Sequence, residues 1–137
     1  MSKNIFNECI GTKFYNANKI TSALYKEYLN KYDLTYPQYL ILRSLFEDKE
    51  KESRALQDEV LMDKATLSEV FKRLEDKELI TRKRLVKDER QSLVMITDKG
   101  YKLKAKLKNI DENVLKSLKL NKTEMEKLND LLDKINL

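Results

Sequence analysis

Histidine is absent from this chain of 137 residues, which has one cysteine, one proline and two glycines. Each scarcity excludes something. Without histidine there is no His-based catalytic triad and no His-ligated metal site. No phosphate-binding glycine loop and no carboxylate cluster around a nucleophile takes its place, so neither an enzyme nor a bound cofactor or metal is expected. Cys9 has no second cysteine with which to close an internal disulfide. No apolar run reaches the roughly 18 residues of a membrane span. The opening residues MSKNIFNE lack the basic start and apolar block of a secretory signal, so a cytoplasmic protein without membrane attachment is expected. Few glycines and prolines argue for mostly helix with few tight turns.

What is present is apolar and charged in nearly equal measure, 41% and 37% of the chain. That supports the core of one domain but is thin for a compact monomer. Long amphipathic helices sharing a core with a second subunit would reconcile the two. The formal net charge is +5 and the isoelectric point about 9.1. This balance weakly favours a polyanionic partner and fits a lysine-rich solvated surface equally well, so position must decide.

Helical periodicity runs over residues 4–31, through Ile5, Cys9, Ala17, Ile20, Leu24 and Tyr28. A second helix begins at Thr35, with Pro37 in its first turn and an apolar stripe of Tyr39, Leu40, Leu42, Leu45 and Phe46. The run EDKEKE (47–52) reads as a solvated loop, and 53–60 as a short third helix, with Leu61 and Met62 packing the turn after it. Asp63 is placed to cap a fourth helix that reaches about Lys77, its buried face Leu67, Val70, Phe71 and Leu74. A strand over 79–86, a hairpin tip at 87–91 and a returning strand over 92–96 follow. Thr97 caps a long helix to about Leu118. Asn121, with Glu124 three residues on, caps the last. The expected fold is mainly α with a small β-hairpin wing, in the order α-α-α-α-β-wing-β-α-α, a winged helix-turn-helix.

The helix–wing run KATLSEVFKRLEDKELITRKRLVKDERQSLVMIT (64–97) carries the functional signal. A helix that reads the DNA major groove presents short donors and acceptors on the outer side of its first turns. Lys64, Thr66 and Ser68 meet that need, with Lys72 and Arg73 further along to hold the backbone. An ordinary solvated helix would look similar, and the hairpin tips the balance. Arg82, Lys83, Arg84, Lys87 and Arg90 make it basic, and Arg90 at the tip suits the minor groove of A·T-rich DNA. Asp88 cannot favour phosphate, and its expected role is to pair with Arg90 and hold it extended. Double-stranded DNA is therefore the expected partner. A protein–protein adaptor built on the same fold is the alternative, but it would want an apolar outer face on the fourth helix.

Over nearly its whole length the chain resembles the MarR family of bacterial transcription factors. The resemblance is carried by LTYPQYLIL (34–42), DKATLSEVFKRLEDKELITRKR (63–84), DER (88–90), ITDKG (96–100) and NKTEMEKLNDLLDKI (121–135). It implies one domain over 1–137. Residues 34–100 would form the DNA-binding lobe, and residues 1–33 and 101–137 the helices of a homodimer, usually a repressor of a pseudo-palindromic operator. Where the family often has glycine after the fourth helix, this chain has Glu78. TYPQY is typical of the organic-peroxide and oxidant-sensing branch, which places a reactive cysteine near the start of the first helix, ringed by tyrosines. Tyr15, Tyr25 and Tyr36 match those positions and also mark a candidate pocket for a small-molecule effector. Tyr25, Tyr28, Tyr32, Tyr36 and Tyr39 also suit half-buried interface residues with wet hydroxyls. The cysteine position falls on Gly11. Cys9 lies two residues earlier, about 200° away around a helix, and so faces elsewhere unless the first helix starts in a different register. Cys9 is thus either a packing residue or a redox sensor facing another way, with Lys13 one turn on as the obvious cation.

Overall fold

The computed structural model describes residues 9–88 and 90–135. Helix α1 spans Ile10–Leu29 and passes through a 3-10 turn, Asn30–Tyr32, into α2 (Tyr36–Asp48). Strand β1 (Glu50–Glu52), α3 (Ser53–Val60) and α4 (Lys64–Asp76) follow. The wing is β2 (Ile80–Arg84) and β3 (Ser92–Ile96). The chain then runs through α5 (Asp98–Tyr101), α6 (Leu103–Leu107) and α7 (Ile110–Ser117) to α8 (Lys122–Ile135).

The caps read from the sequence at Asp63 and Asn121 form, and α2 adds one that was not read. Thr35 and Gln38 make a reciprocal capping box on α2. Asp63 accepts the Thr66 N–H at 2.7 Å, and Asn121 and Glu124 box the start of α8. Each satisfies backbone donors that a helix start leaves open. The core lies where α2 crosses α4 and the sheet, around Ile41, Leu42, Leu45, Leu56, Phe71, Leu74, Ile80 and Val94. Leu29 from α1 and Leu107 and Ile110 from the C-terminal helices extend it.

Three expectations are corrected. The run 47–52 is not a loop: Glu47 and Asp48 close α2, and Glu50–Glu52 pairs antiparallel with β3, with Lys51 opposite Val94. The sheet is three-stranded in the order β1-β3-β2. The ladder needs only backbone groups, so three charged residues can form an edge strand without any apolar alternation. The helix expected over 97–118 is broken into α5, α6 and α7. At the second break the Tyr32 hydroxyl donates to the Lys106 carbonyl at 3.1 Å, the acceptor that a continuous helix would offer to Ile110, and Asn109 leaves helical geometry (φ −103°, ψ 3°). Leu61 does not pack its turn. It stands 83% exposed at φ 52°.

Leu61 belongs to a set. Asp33, Lys49, Leu61, Glu78 and Lys119 all take left-handed backbone, with φ between 52° and 64°. Few glycines therefore do not mean few tight turns here. The chain ends its helices with ordinary residues, each against roughly 1–2 kcal/mol of steric cost.

Candidate nucleic-acid interface

Helix α4 divides by burial as its sequence pattern requires. Leu67, Val70, Phe71 and Leu74 are buried, while Lys64, Ala65, Thr66, Ser68, Glu69, Lys72 and Arg73 are exposed. The Asp63 cap ties down the first turn, and Thr66 and Ser68 stay exposed on its outer side. The N–H and hydroxyl of Thr66 hold the Asp63 carboxyl below its ordinary range.

The wing closes against this face. Lys64, Ser68, Arg82 and Arg90 line one concavity, floored by Leu67 and Phe71. Arg82 is committed within it. Its Nε donates to Glu75 at 2.7 Å, Nη2 also pairs with Glu75, and the guanidinium lies 5.4 Å over the Phe71 ring. Arg82 thus braces the wing on the recognition helix. Arg84 and Arg90 share a second hollow with Glu75 and Arg82. Side chains alternate along a strand, so Lys83 stands on the other face of β2, and neither it nor Lys87 lines these hollows. Lys72 and Arg73 lie on the exposed side of α4, Arg73 within 3.3 Å of Glu69.

Asp88 acts differently from expectation. Its carboxylate accepts the backbone N–H of Arg90 at 3.0 Å, and its carbonyl accepts that of Gln91 at 3.0 Å. It shapes the turn through the backbone, leaving the Arg90 side chain exposed. The base of the wing is pinned by Ser53, whose hydroxyl donates to Gln91 Oε1 at 2.8 Å and accepts the Ser92 N–H at 3.1 Å. Ser53 and Gln57 were missed as lining residues, because only tertiary folding brings α3 to the wing.

The expected tyrosine set is partly assembled. Tyr25 and Tyr36 stack with ring centroids 4.2 Å apart, and Tyr39, read from the sequence as part of the α2 stripe, joins them at 6.0 and 6.4 Å. Tyr36 also lines a cleft with Ser22, Lys26, Leu34 and Lys77. Tyr15 stands apart, 63% exposed, with the Lys19 ammonium over its ring. Burial first, then Asp111, raises the phenol pKa of Tyr25, Tyr36 and Tyr39, so all three keep their protons throughout the neutral range.

Cys9 is exposed and sits just before α1 in extended backbone (φ −74°, ψ 102°). The 200° separation from Gly11 applies only within a helix. Here a Cβ placed on Gly11 would lie 3.7 Å from the Cys9 sulfur, so the thiol occupies the Gly11 side. The Thr12 hydroxyl and then its N–H hold the thiol pKa below the ordinary value.

Comparison with known proteins bears on this geometry. The family model described as transcriptional regulator SarA/Rot matches residues 23–107. The HTH-type transcriptional regulator MgrA of Staphylococcus aureus is 33% identical over 122 residues, covering 88% of this chain and 83% of that protein. The organic hydroperoxide resistance transcriptional regulator of Bacillus subtilis is 34% identical over 118 residues, covering 86% and 80%. The crystal structure of a mutant MarR from E. coli complexed with operator DNA superposes with a TM-score of 0.79 at 25% identity, covering 98% of this chain and all of that one. With a polar recognition face, a basic wing and these relatives, the chain belongs to the SarA/Rot family and is a DNA-binding transcriptional regulator of the MarR-type winged-helix fold.

Proposed function

We propose that the protein acts in the cytoplasm as a homodimeric repressor of a pseudo-palindromic operator. Residues 34–100 form the DNA-binding lobe, and the segments before and after it pair two copies. The observation that carries the dimer is α8. Its Leu128, Leu131, Leu132 and Ile135 are 38–57% exposed, and no residue of the helix is fully buried in its own chain. An isolated helix of this length is marginal in water, and an apolar stripe of that size calls for cover. Ile10, Phe14 and Ile20 leave α1 similarly uncovered. Two copies place two α4 helices for successive major grooves, roughly 34–36 Å apart. An adaptor that binds protein through α4 is disfavoured by the exposed Lys64, Thr66 and Ser68.

The test is titration of the protein onto DNA from upstream of its own coding sequence. Arg90→Ala is expected to weaken operator binding about tenfold, to reduce the salt dependence by about one released counterion, and to leave the oligomer unchanged. An operator affinity untouched by the substitution would sink the wing assignment.

For the signal, the exposure and lowered pKa of Cys9 favour an oxidant. Thiolate character and access are what make a cysteine oxidisable. In the same titration, cumene hydroperoxide is expected to release the wild-type protein, dithiothreitol to restore it, and Cys9→Ser to stay bound. Wild-type binding indifferent to peroxide would leave a small-molecule effector in the cleft beside Tyr36 and Tyr25.

A further inference from the structure

One carboxylate joins three elements. Asp111 stands in the first turn of α7. Its Oδ1 accepts the hydroxyl of Tyr25, from α1, at 2.5 Å. Its Oδ2 accepts the hydroxyl of Tyr39, from α2, at 2.8 Å, and lies 3.2 Å from Nε of Arg43, also on α2. Hydrogen bonds to an ionised acceptor are about twice as strong as neutral ones. A negative charge in the first turn of α7 is further favoured by the helix dipole.

The position of this hub matters more than its strength. Helix α7 begins at the break after α6, so its direction is not dictated by the helix before it. The tyrosines of α1 clasp it: Tyr25 at Asp111, and Tyr28, whose hydroxyl lies 3.0 Å from Ser117 Oγ. Tyr39 and Arg43 belong to α2, which packs directly on α4 and also meets α1, where Tyr25 stacks on Tyr36. Tyr39 is 3% exposed and cannot swing to another partner. Asp111 is thus a polar tie between the clasped α1–α7 pair and the lobe that carries the recognition helix.

We propose that Asp111 is a positioning residue for operator binding. By holding Tyr25 together with Tyr39 and Arg43, it sets the angle between the paired helices and the DNA-binding lobe, and so the half-site spacing that a dimer accepts. The spacing claim rests on the dimeric reading above. No part of Asp111 needs to touch DNA.

The test uses the full chain, wild type against Asp111→Asn, with Tyr39→Phe and the double variant. The chain has no tryptophan, so its emission is that of tyrosine, and a phenol bonded to a carboxylate is quenched because its excited state gives up the proton. Asp111→Asn is expected to brighten tyrosine emission and to lower affinity about tenfold for operator DNA of the preferred spacing. It should flatten the preference among duplexes whose half-sites are moved closer or apart. Affinity for non-specific DNA and the oligomeric state should hold. Tyr39→Phe should reproduce part of the loss and add little in the double variant. Unchanged emission, or a spacing preference in Asp111→Asn equal to that of the wild type, would overturn the tie alone. A wild-type protein with no spacing preference would overturn the dimeric reading and the spacing claim together.

Discussion

Aspartate in place of both Leu131 and Leu132 is expected to leave the protein monomeric and to lower operator affinity by at least about a hundredfold. The two leucines lie on the exposed stripe of α8, 48% and 39% open within their own chain. Fully burying an exposed leucine contributes roughly 1.5–3 kcal/mol, so covering the open half of each contributes about 1 kcal/mol, in both copies, and every 1.4 kcal/mol is tenfold in an equilibrium constant. The substitution removes that gain twice over and sets carboxylates against apolar surface, where an unpaired charge is costly. The DNA-binding lobe should survive, because α8 contributes no buried residue to it. Sedimentation would therefore show a folded monomer, with helix content close to wild type apart from α8 itself. That monomer should keep weak, salt-sensitive binding through its single wing and recognition helix, and lose the spacing preference that two linked copies confer. A double variant that remains dimeric and binds operator as before would refute α8 as the pairing surface.

What the sequence disclosed depended on whether the signal was local. The buried face of α4, its Asp63 cap and the basic wing lie within one stretch of about thirty residues, and each depends on neighbours three or four positions away. They stand where periodicity and capping rules put them. Strand β1 was illegible because Glu50, Lys51 and Glu52 have no alternation to detect, and their partners Leu93 to Met95 lie some forty residues on. The broken C-terminal helix was hidden for the same reason: the hydroxyl at the break comes from Tyr32, 74 residues earlier. Asp111 carried no local signal, since Tyr25 and Tyr39 reach it across 86 and 72 residues. Asp88 shows the opposite failure. The residue was singled out correctly, but charge suggested a side-chain partner where turn geometry supplied a backbone one. For Cys9 the outcome turned on the register of the first helix, whose expected start over 4–8 lies outside the described residues. Extended backbone at that position moves the sulfur to the side of Gly11.

The sharpest stability effect is expected at Gly100. It lies in the first turn of α5, is buried, and has no left-handed backbone, so conformational freedom is not what it provides. It provides room. A Cβ there would overlap the Leu79 carbonyl oxygen and stand 2.8 Å from Cγ1 of Ile96. The same carbonyl accepts the Thr97 N–H at 3.0 Å, while the Thr97 hydroxyl donates to the Glu78 carbonyl at 2.7 Å and accepts the Gly100 N–H at 3.0 Å. These bonds clip the end of the recognition helix to the start of the C-terminal helices. The obstacle is backbone, not the end of a flexible side chain, so the chain can yield only by opening the clip. Gly100→Ala gains about 1 kcal/mol in helix propensity, but overpacking costs typically 1–3 kcal/mol, and each backbone bond lost in a buried place costs about 1–3 kcal/mol more. The net expectation is a loss of about 2–3 kcal/mol, read as a fall of about 10 °C in Tm. Gly100→Val, with a branched side chain in the same space, should fail to fold. Leu79 joins α4 to β2, so a surviving alanine variant should also carry a misaligned wing. Its operator affinity should fall even well below its melting temperature, in contrast to an ordinary core truncation. An alanine variant with wild-type Tm would show that the joint can relax and that the glycine is not needed for space.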